Sequence, residues 1–310
     1  MRLGTRGSAL AMAQAGLVAR AIEDRTGEPV ELVEIVTSGD RSSAPVAQLG
    51  VGVFVSALRD ALLAKEIDVA VHSYKDLPTA PADGLLIAAV PPREDPRDVL
   101  VGRTLAQLAA GDRVGTGAVR RIAQLHALGL PIETVPIRGN VDTRLRKVAA
   151  GELDAVVLAA AGLARLGLLD EAAGRRRLAG LAQVPAYELL DPSVLLPAPA
   201  QGALAVECRA EDRLFDVLST VDDPVSRATV DAERALLATL EAGCSAPVAG
   251  LAEATGDGEV HLRGAVLSPD GRVALRLDRA GTLADPATLG RQLAEHLLRA
   301  GADTVLGVQR

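Results

Sequence analysis

Asp76 stands in the run His72-Ser73-Tyr74-Lys75-Asp76-Leu77-Pro78, directly after a short apolar segment. A carboxylate in such company can do proton chemistry. Beside cations an Asp stays ionised, so it can stabilise a positively charged intermediate and shuttle a proton. Ser73 and Lys75 add a hydroxyl and an ammonium at the same chain end. The competing reading is a capping Asp with a surface Lys, and His72 by itself reads as a satisfied structural histidine.

The second concentration of chemistry is cationic. Between Arg113 and Lys147, seven basic residues (Arg113, Arg120, Arg121, Arg138, Arg144, Arg146, Lys147) meet only Glu133 and Asp142; seven against two leaves +5, in a chain of net −7. Arg120 and Arg121 fall in the first turns of a helix, where isolated cations oppose the macrodipole. An anion held at the helix N-terminus between them would account for their presence. Arg138 and Arg144 flank Gly139-Asn140 at a strand-to-helix turn, and in open α/β sheets such turns line the ligand crevice. Arginine suits bidentate contacts to carboxylate or phosphate better than lysine, each hydrogen bond contributing about 1.5–3 kcal/mol. A solvated basic face with scattered ion pairs is the alternative.

Three smaller features complete the inventory. Ala242-Gly243-Cys244-Ser245-Ala246-Pro247 is a loop after a long helical pattern; its thiol can reach a neighbouring crevice or be inert. Cys208 ends an apolar strand and reads as core. Arg6 and Ser8 close the first strand and open the first helix, a further anion contact or a simple N-cap. Gly50-Val51-Gly52 can hinge a lid, but no Gly-Lys-Ser/Thr follows to make it a phosphate loop.

The elements that must position these groups alternate. Strands are expected at Arg2–Arg6, Val30–Val36, Ile67–His72, Leu85–Val90, Arg113–Thr116, Ile132–Ile137, Asp154–Leu158 and Ala203–Cys208. Helices are expected from Ser8 to about Arg25 with a stop at Gly27, over Phe54–Ala64, up to Leu128 before Gly129, and from an Asn140 cap to Ala150. Alternation of β and α implies parallel sheets covered by helices. Pro91, Pro92 and Pro96 in one stretch, and Pro192, Pro197 and Pro199 in another, fit a chain that leaves one lobe, builds a second and returns through a paired hinge. From about Glu211 the pattern changes to helix (Pro224–Leu240), strands near Val248–Ala252, Val260–Val266 and Val273–Asp278, and a helix from Pro286 to Ala300. The expected fold is α/β, with two lobes plus a small α+β C-terminal unit built on an antiparallel sheet.

Composition narrows the function. The 310 residues exceed one average domain. Aromatic residues make up 1% and Trp is absent, so stacking on nucleobases or caging a cation is disfavoured. A net charge of −7 argues against a nucleic-acid binder. Two cysteines and four histidines, none at ligand spacing, predict no metal site. The N-terminal run lacks the form of a signal peptide and no uncharged apolar stretch is long enough to span a bilayer, so no membrane association and a cytoplasmic location are expected.

Taken in order, the segments resemble the porphobilinogen deaminase (hydroxymethylbilane synthase) family over essentially the whole chain. The matches are Leu-Gly-Thr-Arg-Gly-Ser at 3–8, His-Ser-Tyr-Lys-Asp-Leu-Pro at 72–78, Arg-Glu-Asp-Pro-Arg-Asp at 93–98, Gly-Thr-Gly-Ala-Val-Arg-Arg at 115–121 and Arg-Gly-Asn-Val-Asp-Thr-Arg-Leu at 138–145. Ala-Gly-Leu-Ala-Arg-Leu-Gly at 161–167, Gln-Gly-Ala-Leu at 201–204 and Gly-Cys-Ser-Ala-Pro at 243–247 complete the series. The resemblance implies three domains: 1–92 with 193–211, 93–192, and 212–310. The first two would be alike and similar to the lobes of periplasmic binding proteins.

The resemblance also implies a dipyrromethane cofactor on a thioether to Cys244. On it four porphobilinogens condense head to tail, with loss of ammonia, before the linear tetrapyrrole is released. By the same resemblance Ser73, Lys75, Arg120 and Arg121, with Thr116 helping, hold the cofactor. Arg6, Ser8, Arg138, Arg144, Arg165 and Gln201 surround the substrate and the elongating polypyrrole. Asp76 matches the family's catalytic acid and a cofactor contact, Phe54 is expected to cover the site, and the family suggests a monomer. Departures are Gly117 and Ala118 where hydroxyl residues are common, Val51 where a lysine is common, and Ala200 and Ala242 where glycine is common. None removes Asp76, Cys244 or the main arginines, so an active enzyme is expected. The rivals are a two-lobed anion-binding protein without catalysis and a degenerate deaminase.

Overall fold

A computed structural model describes residues 1–36, 55–170, 177–178, 186–211, 213–242 and 246–307. The chain opens with β1 (Arg2–Thr5) and α1 (Ala9–Thr26). Ser8 sets the start of this helix: its backbone is extended and its hydroxyl accepts the Ala11 N–H at 3.3 Å. Gly27, at φ 73°, ends it by donating its N–H to the Glu23 carbonyl. There follow β2 (Glu31–Glu34), α2 (Ser56–Leu63), β3 (Val69–Ser73) and β4 (Leu85–Ala89).

After a proline-rich crossing the chain builds β5 (Asp98–Val101), β6 (Arg113–Gly115), α3 (Val119–Ala127), β7 (Glu133–Val135), α4 (Val141–Ala149), β8 (Ala155–Ala159) and α5 (Ala160–Arg165). A short ribbon of β9 (Leu169–Asp170) and β10 (Arg177–Leu178) precedes β11 (Tyr187–Leu189). The chain then returns to form β12 (Leu204–Arg209) and α6 (Leu214–Ser219).

Two five-stranded sheets result, and they share one topology. The first runs β2-β1-β3-β12-β4 and the second, written from the equivalent end, β7-β6-β8-β5-β11. In each, the first three strands are parallel and the fourth is antiparallel to both neighbours. Four of the five strands in each sheet therefore run the same way, as the mostly parallel sheets expected from β/α alternation require, and one is reversed. The reversed strand is in each case the one arriving directly from the other lobe. With no crossover helix before it, it enters from the opposite end of the sheet. Its inner strands are buried on both faces and read as continuous apolar runs, such as Leu204-Ala205-Val206.

The remaining unit contains α7 (Pro224–Thr239), β13 (Val248–Gly256), β14 (Glu259–Leu267), β15 (Ala274–Thr282), α8 (Pro286–Arg299) and α9 (Ala302–Leu306). The three strands form an antiparallel meander with α7 and α8 packed on one face around Leu236, Val260, Leu262, Leu293 and Leu297. Gly290 makes the helix crossing close: a Cβ there would strike the Ala232 carbonyl.

This unit touches both lobes. Val230 of α7 joins Tyr74, Leu77, Val90 and Ala205, whereas Ala249, Leu251, Ala265 and Leu267 pack on Ala123 of α3 and on Leu196. Among the described residues no helix is long and apolar enough to cross a membrane.

Candidate active site

β3 ends in a single 3-10 turn, Tyr74–Asp76, closed by the Leu77 N–H on the Tyr74 carbonyl at 3.2 Å. Tyr74 and Leu77 are buried, and this turns Asp76 out to the surface with Lys75 half-buried beside it. Both line a cavity of ≈ 170 Å³ at the meeting point of the three units. The first lobe contributes Lys75 and Asp76, and the second contributes Ala118, Val119, Arg120 and Arg121. Ala198, Pro199 and Gln201 come from the return crossing, and Leu237, Ala246 and Val248 from the C-terminal unit. Burial pushes the Lys75 ammonium down to about 8, with Arg121 and Arg120 adding repulsion and Asp76 and Asp98 opposing it. Its Nζ donates to Gln201 Oε1 at 3.4 Å.

Arg120 and Arg121 do occupy the first turn of α3, and the anion between them is a side chain. Asp98, at the start of β5, is fully buried. Its Oδ2 accepts from Arg120 Nη2 at 2.8 Å, and its Oδ1 accepts from Arg121 Nη2 at 2.7 Å and Nε at 3.1 Å. Gln201 Nε2 donates to the same Oδ1 at 2.8 Å and to the Pro96 carbonyl at 2.7 Å. Burial alone would raise the Asp98 carboxyl; the two guanidiniums outweigh it and hold the group far below the usual carboxylate range.

Arg120 also donates to the Leu196 carbonyl and Arg121 to that of Val157, so both guanidinium planes are locked while they border the cavity. Two cations against one buried carboxylate leave net positive charge at the wall. The sequence reading assigned the helix-terminal anion to a ligand and missed Asp98. The signal available was an Asp opening an apolar Val-Leu-Val strand, where an unpaired charge has no place.

The remaining arginines fall into two groups. Arg138 lies between β7 and α4 and Arg144 near the start of α4, from which its Nε donates back to the Gly139 carbonyl at 2.8 Å. Arg138 Nη1 is buried without a hydrogen-bond partner among the described residues. Burial lowers the Arg144 pKa, and the like charges of Arg121 and Arg138 lower it further. These neighbouring cations include a guanidinium nitrogen left without an acceptor, and carboxylates are acceptors of the right chemistry. Arg165, by contrast, reaches the hinge: its Nη2 donates to the Gly202 carbonyl at 2.6 Å.

Ser73 exchanges hydrogen bonds with Gln14, at 3.1 and 3.2 Å. Thr116 is fully buried, and its hydroxyl accepts the Ala118 N–H at 3.3 Å, which shapes the loop before α3 without facing the cavity. Ser8 is the cap of α1, and Arg6 follows β1 half-buried. Asn140 occupies the cap position of α4 but makes no side-chain capping bond. His72 pairs with buried Glu207 at 3.0 Å, which Arg59 also holds at 2.8 Å, so it serves the framework. Cys208 is buried in the first lobe. Cys244, Gly243, Ser245, Gly50, Val51, Gly52 and Phe54 lie outside the described residues, although Ala246, two positions after Cys244, is on the cavity wall. Among the described residues no cluster could hold a metal ion.

Two family models match this chain. "Porphobilinogen deaminase, dipyromethane cofactor binding domain" covers residues 1–216, and "Porphobilinogen deaminase, C-terminal domain" covers residues 227–299. Porphobilinogen deaminase 1 of Streptomyces coelicolor is 53% identical over 324 residues, spanning 99% of this chain and 97% of that protein. Porphobilinogen deaminase of Nocardia farcinica is 54% identical over 318 residues, spanning 99% and 88%. Among solved structures, the methionine binding protein MetQ aligns with 71% of this chain and 89% of its own at 12% identity and a TM-score of 0.43.

Proposed function

The chain belongs to the porphobilinogen deaminase family and performs its reaction, and we propose that Asp76 is the group that moves the protons of that reaction. Four porphobilinogens are condensed head to tail and ammonia is released at each addition, giving the linear tetrapyrrole hydroxymethylbilane. The dipyrromethane cofactor, thioether-linked to Cys244, supplies a nucleophilic pyrrole carbon on which the chain is extended. A thiol suits this anchorage because it is a soft nucleophile.

The roles of the protein's residues follow from charge and position. Asp76, as a carboxylate, assists departure of the substrate ammonium as ammonia, faces the resulting azafulvene-like cation, and accepts the proton released from the pyrrole α-carbon. Exposed on a fixed turn beside Lys75, it can exchange protons without unfolding anything. Lys75, Arg120 and Arg121, with Ser73 and Thr116 behind them, hold the cofactor carboxylates. Arg138, Arg144, Arg165, Arg6, Ser8 and Gln201 serve the incoming and growing chain. The observation that carries this reading is the cavity in which Asp76, Lys75 and the Asp98-locked arginines meet Ala246, two positions after Cys244 in sequence.

Sheet membership supports domain boundaries at 1–92 with 193–211, 93–192 and 212–310. We place the enzyme in the cytoplasm as a monomer, acting on a small-molecule substrate with no nucleic-acid or membrane partner. Intact-mass measurement under denaturing conditions is expected to find two linked pyrroles on the wild-type chain and none on Cys244→Ser. Asp76→Ala is expected to fold and to release ammonia about 100-fold or more slowly. An unmodified wild-type chain, or near-normal ammonia release by Asp76→Ala, would overturn the assignment.

A further inference from the structure

We infer that Arg234, on α7 of the C-terminal unit, is a positioning residue for Asp76. Its guanidinium brackets the turn from both sides. Nη1 donates at 3.1 Å to the carbonyl of Leu77, the residue immediately after Asp76, and Nη2 donates to the Pro78 carbonyl at 2.6 Å. The same plane lies over the Tyr74 ring, 4.4 Å from its centroid, two residues before Asp76. One rigid cation thus fixes the residues on either side of the carboxylate while leaving the carboxylate itself exposed. Pro78 already restricts Leu77 to extended backbone, so the two carbonyls Arg234 takes are presented together.

The identity of the clamping element gives the contact its meaning. On α7, Val230 packs on Tyr74 and Leu77, Arg234 clamps the turn, and Leu237 reaches the cavity, positions three or four apart on one helical face. The helix ends at Thr239, five positions before Cys244 in sequence. The helix that ends five positions before Cys244, the proposed cofactor anchor, is therefore the element that registers the proton-transferring turn. A lysine could not reproduce the clamp, because one ammonium lacks the planar fork that reaches two carbonyls and a ring face together.

The inference rests on the Asp76 reading, and the test separates the two. Arg234→Leu is prepared as cofactor-loaded enzyme, with loading verified by intact mass, and kcat and KM for porphobilinogen are measured by ammonia release. A misplaced turn is expected to lower kcat by roughly 10–100-fold while KM stays within about twofold, since a shift of an ångström at a reacting group can cost that much. Arg234→Lys is expected to recover only part of the loss. A near-wild-type kcat for loaded Arg234→Leu overturns the inference, as does a parallel loss of kcat, KM and cofactor loading. If Arg234→Leu does not fold, the same criteria applied to Arg234→Lys decide. Asp76→Asn is run alongside: normal turnover there sinks the Asp76 reading, whatever Arg234 does.

Discussion

Lys75 is the residue whose surroundings make the sharpest solution prediction. Burial and two neighbouring guanidiniums push its ammonium down to about 8, against 10.5 for an ordinary lysine. Between those values the unfolded chain holds more protons than the folded one, so stability rises with pH through that window; below it the cost of burying the ammonium is fully present and independent of pH. Its consequence for binding has the opposite sense. Below about 8 a full ammonium faces the cavity and favours carboxylates; above it that charge fades. Acquisition of the cofactor by the apoprotein is therefore expected to slow as pH rises through about 8. Lys75→Arg, which does not titrate there, should abolish the inflection. A pH series of loading rates followed by mass spectrometry checks this, and an unchanged profile in Lys75→Arg would refute it. Asp98 teaches a related lesson: arginines at a helix start did mark an anion, but the first anion they bind is a side chain 22 positions earlier.

At the scale of elements, the crossings between lobes hold more structure than their prolines suggest. Ala200 adopts φ 62°, the left-handed region that favours glycine, while being 1% exposed. A glycine at this position would adopt the same conformation without strain. Gly202, at φ 89°, lies so close to the Glu94 carbonyl that a Cβ would collide with it, so the two crossings run in contact. Ala200→Gly relieves strain but loses a buried methyl and stiffens the unfolded chain less. It is expected to change stability by less than about 1 kcal/mol. Ala200→Val, with a branched Cβ in the same conformation, is expected to cost about 2 kcal/mol or more. Urea midpoints for the two variants test the difference, and equal midpoints would contradict the strained hinge.

For the whole molecule, the C-terminal unit is the tie between the lobes. Glu233 of α7 is fully buried and accepts from Arg93 Nη1 at 2.7 Å, Arg93 Nη2 at 3.0 Å, the Ala200 N–H at 2.5 Å and the Ala252 N–H at 2.7 Å. One carboxylate thus joins both crossings to the C-terminal sheet. On the other side the β14–β15 turn rests on α3, where a Cβ at Gly271 would come within 2.5 Å of the Ala123 carbonyl and the Ala127 nitrogen. Arg276 adds a bond to Gln124 at 3.3 Å. Replacing Glu233 by Gln leaves Arg93 buried without its counter-charge, a change expected to cost about 3–5 kcal/mol. Thermal or urea unfolding measures it; a loss below about 1 kcal/mol would show that the node does not hold the three units together.

Much of this was legible in sequence because its causes are local. Periodicity located most strands and helices, Ser8 and Gly27 announced the ends of α1, and the ordered motifs identified the family. Asp76, Lys75, Arg120 and Arg121 were singled out by residue type and neighbours, and the fold does bring them to one cavity. What remained hidden depends on which distant segments meet. No local pattern says that a strand arriving from the other lobe will run backwards, or that Asp98 will neutralise α3. Nor does one say that Glu233 and Arg234, adjacent on α7, will hold the hinge and the Asp76 turn. Charges buried far apart in sequence find their partners only when the chain has closed, because burial is what makes an unpaired charge intolerable. Sequence therefore determined the chemistry available to this enzyme, and tertiary structure decided which of those charges face the substrate and which hold the molecule together.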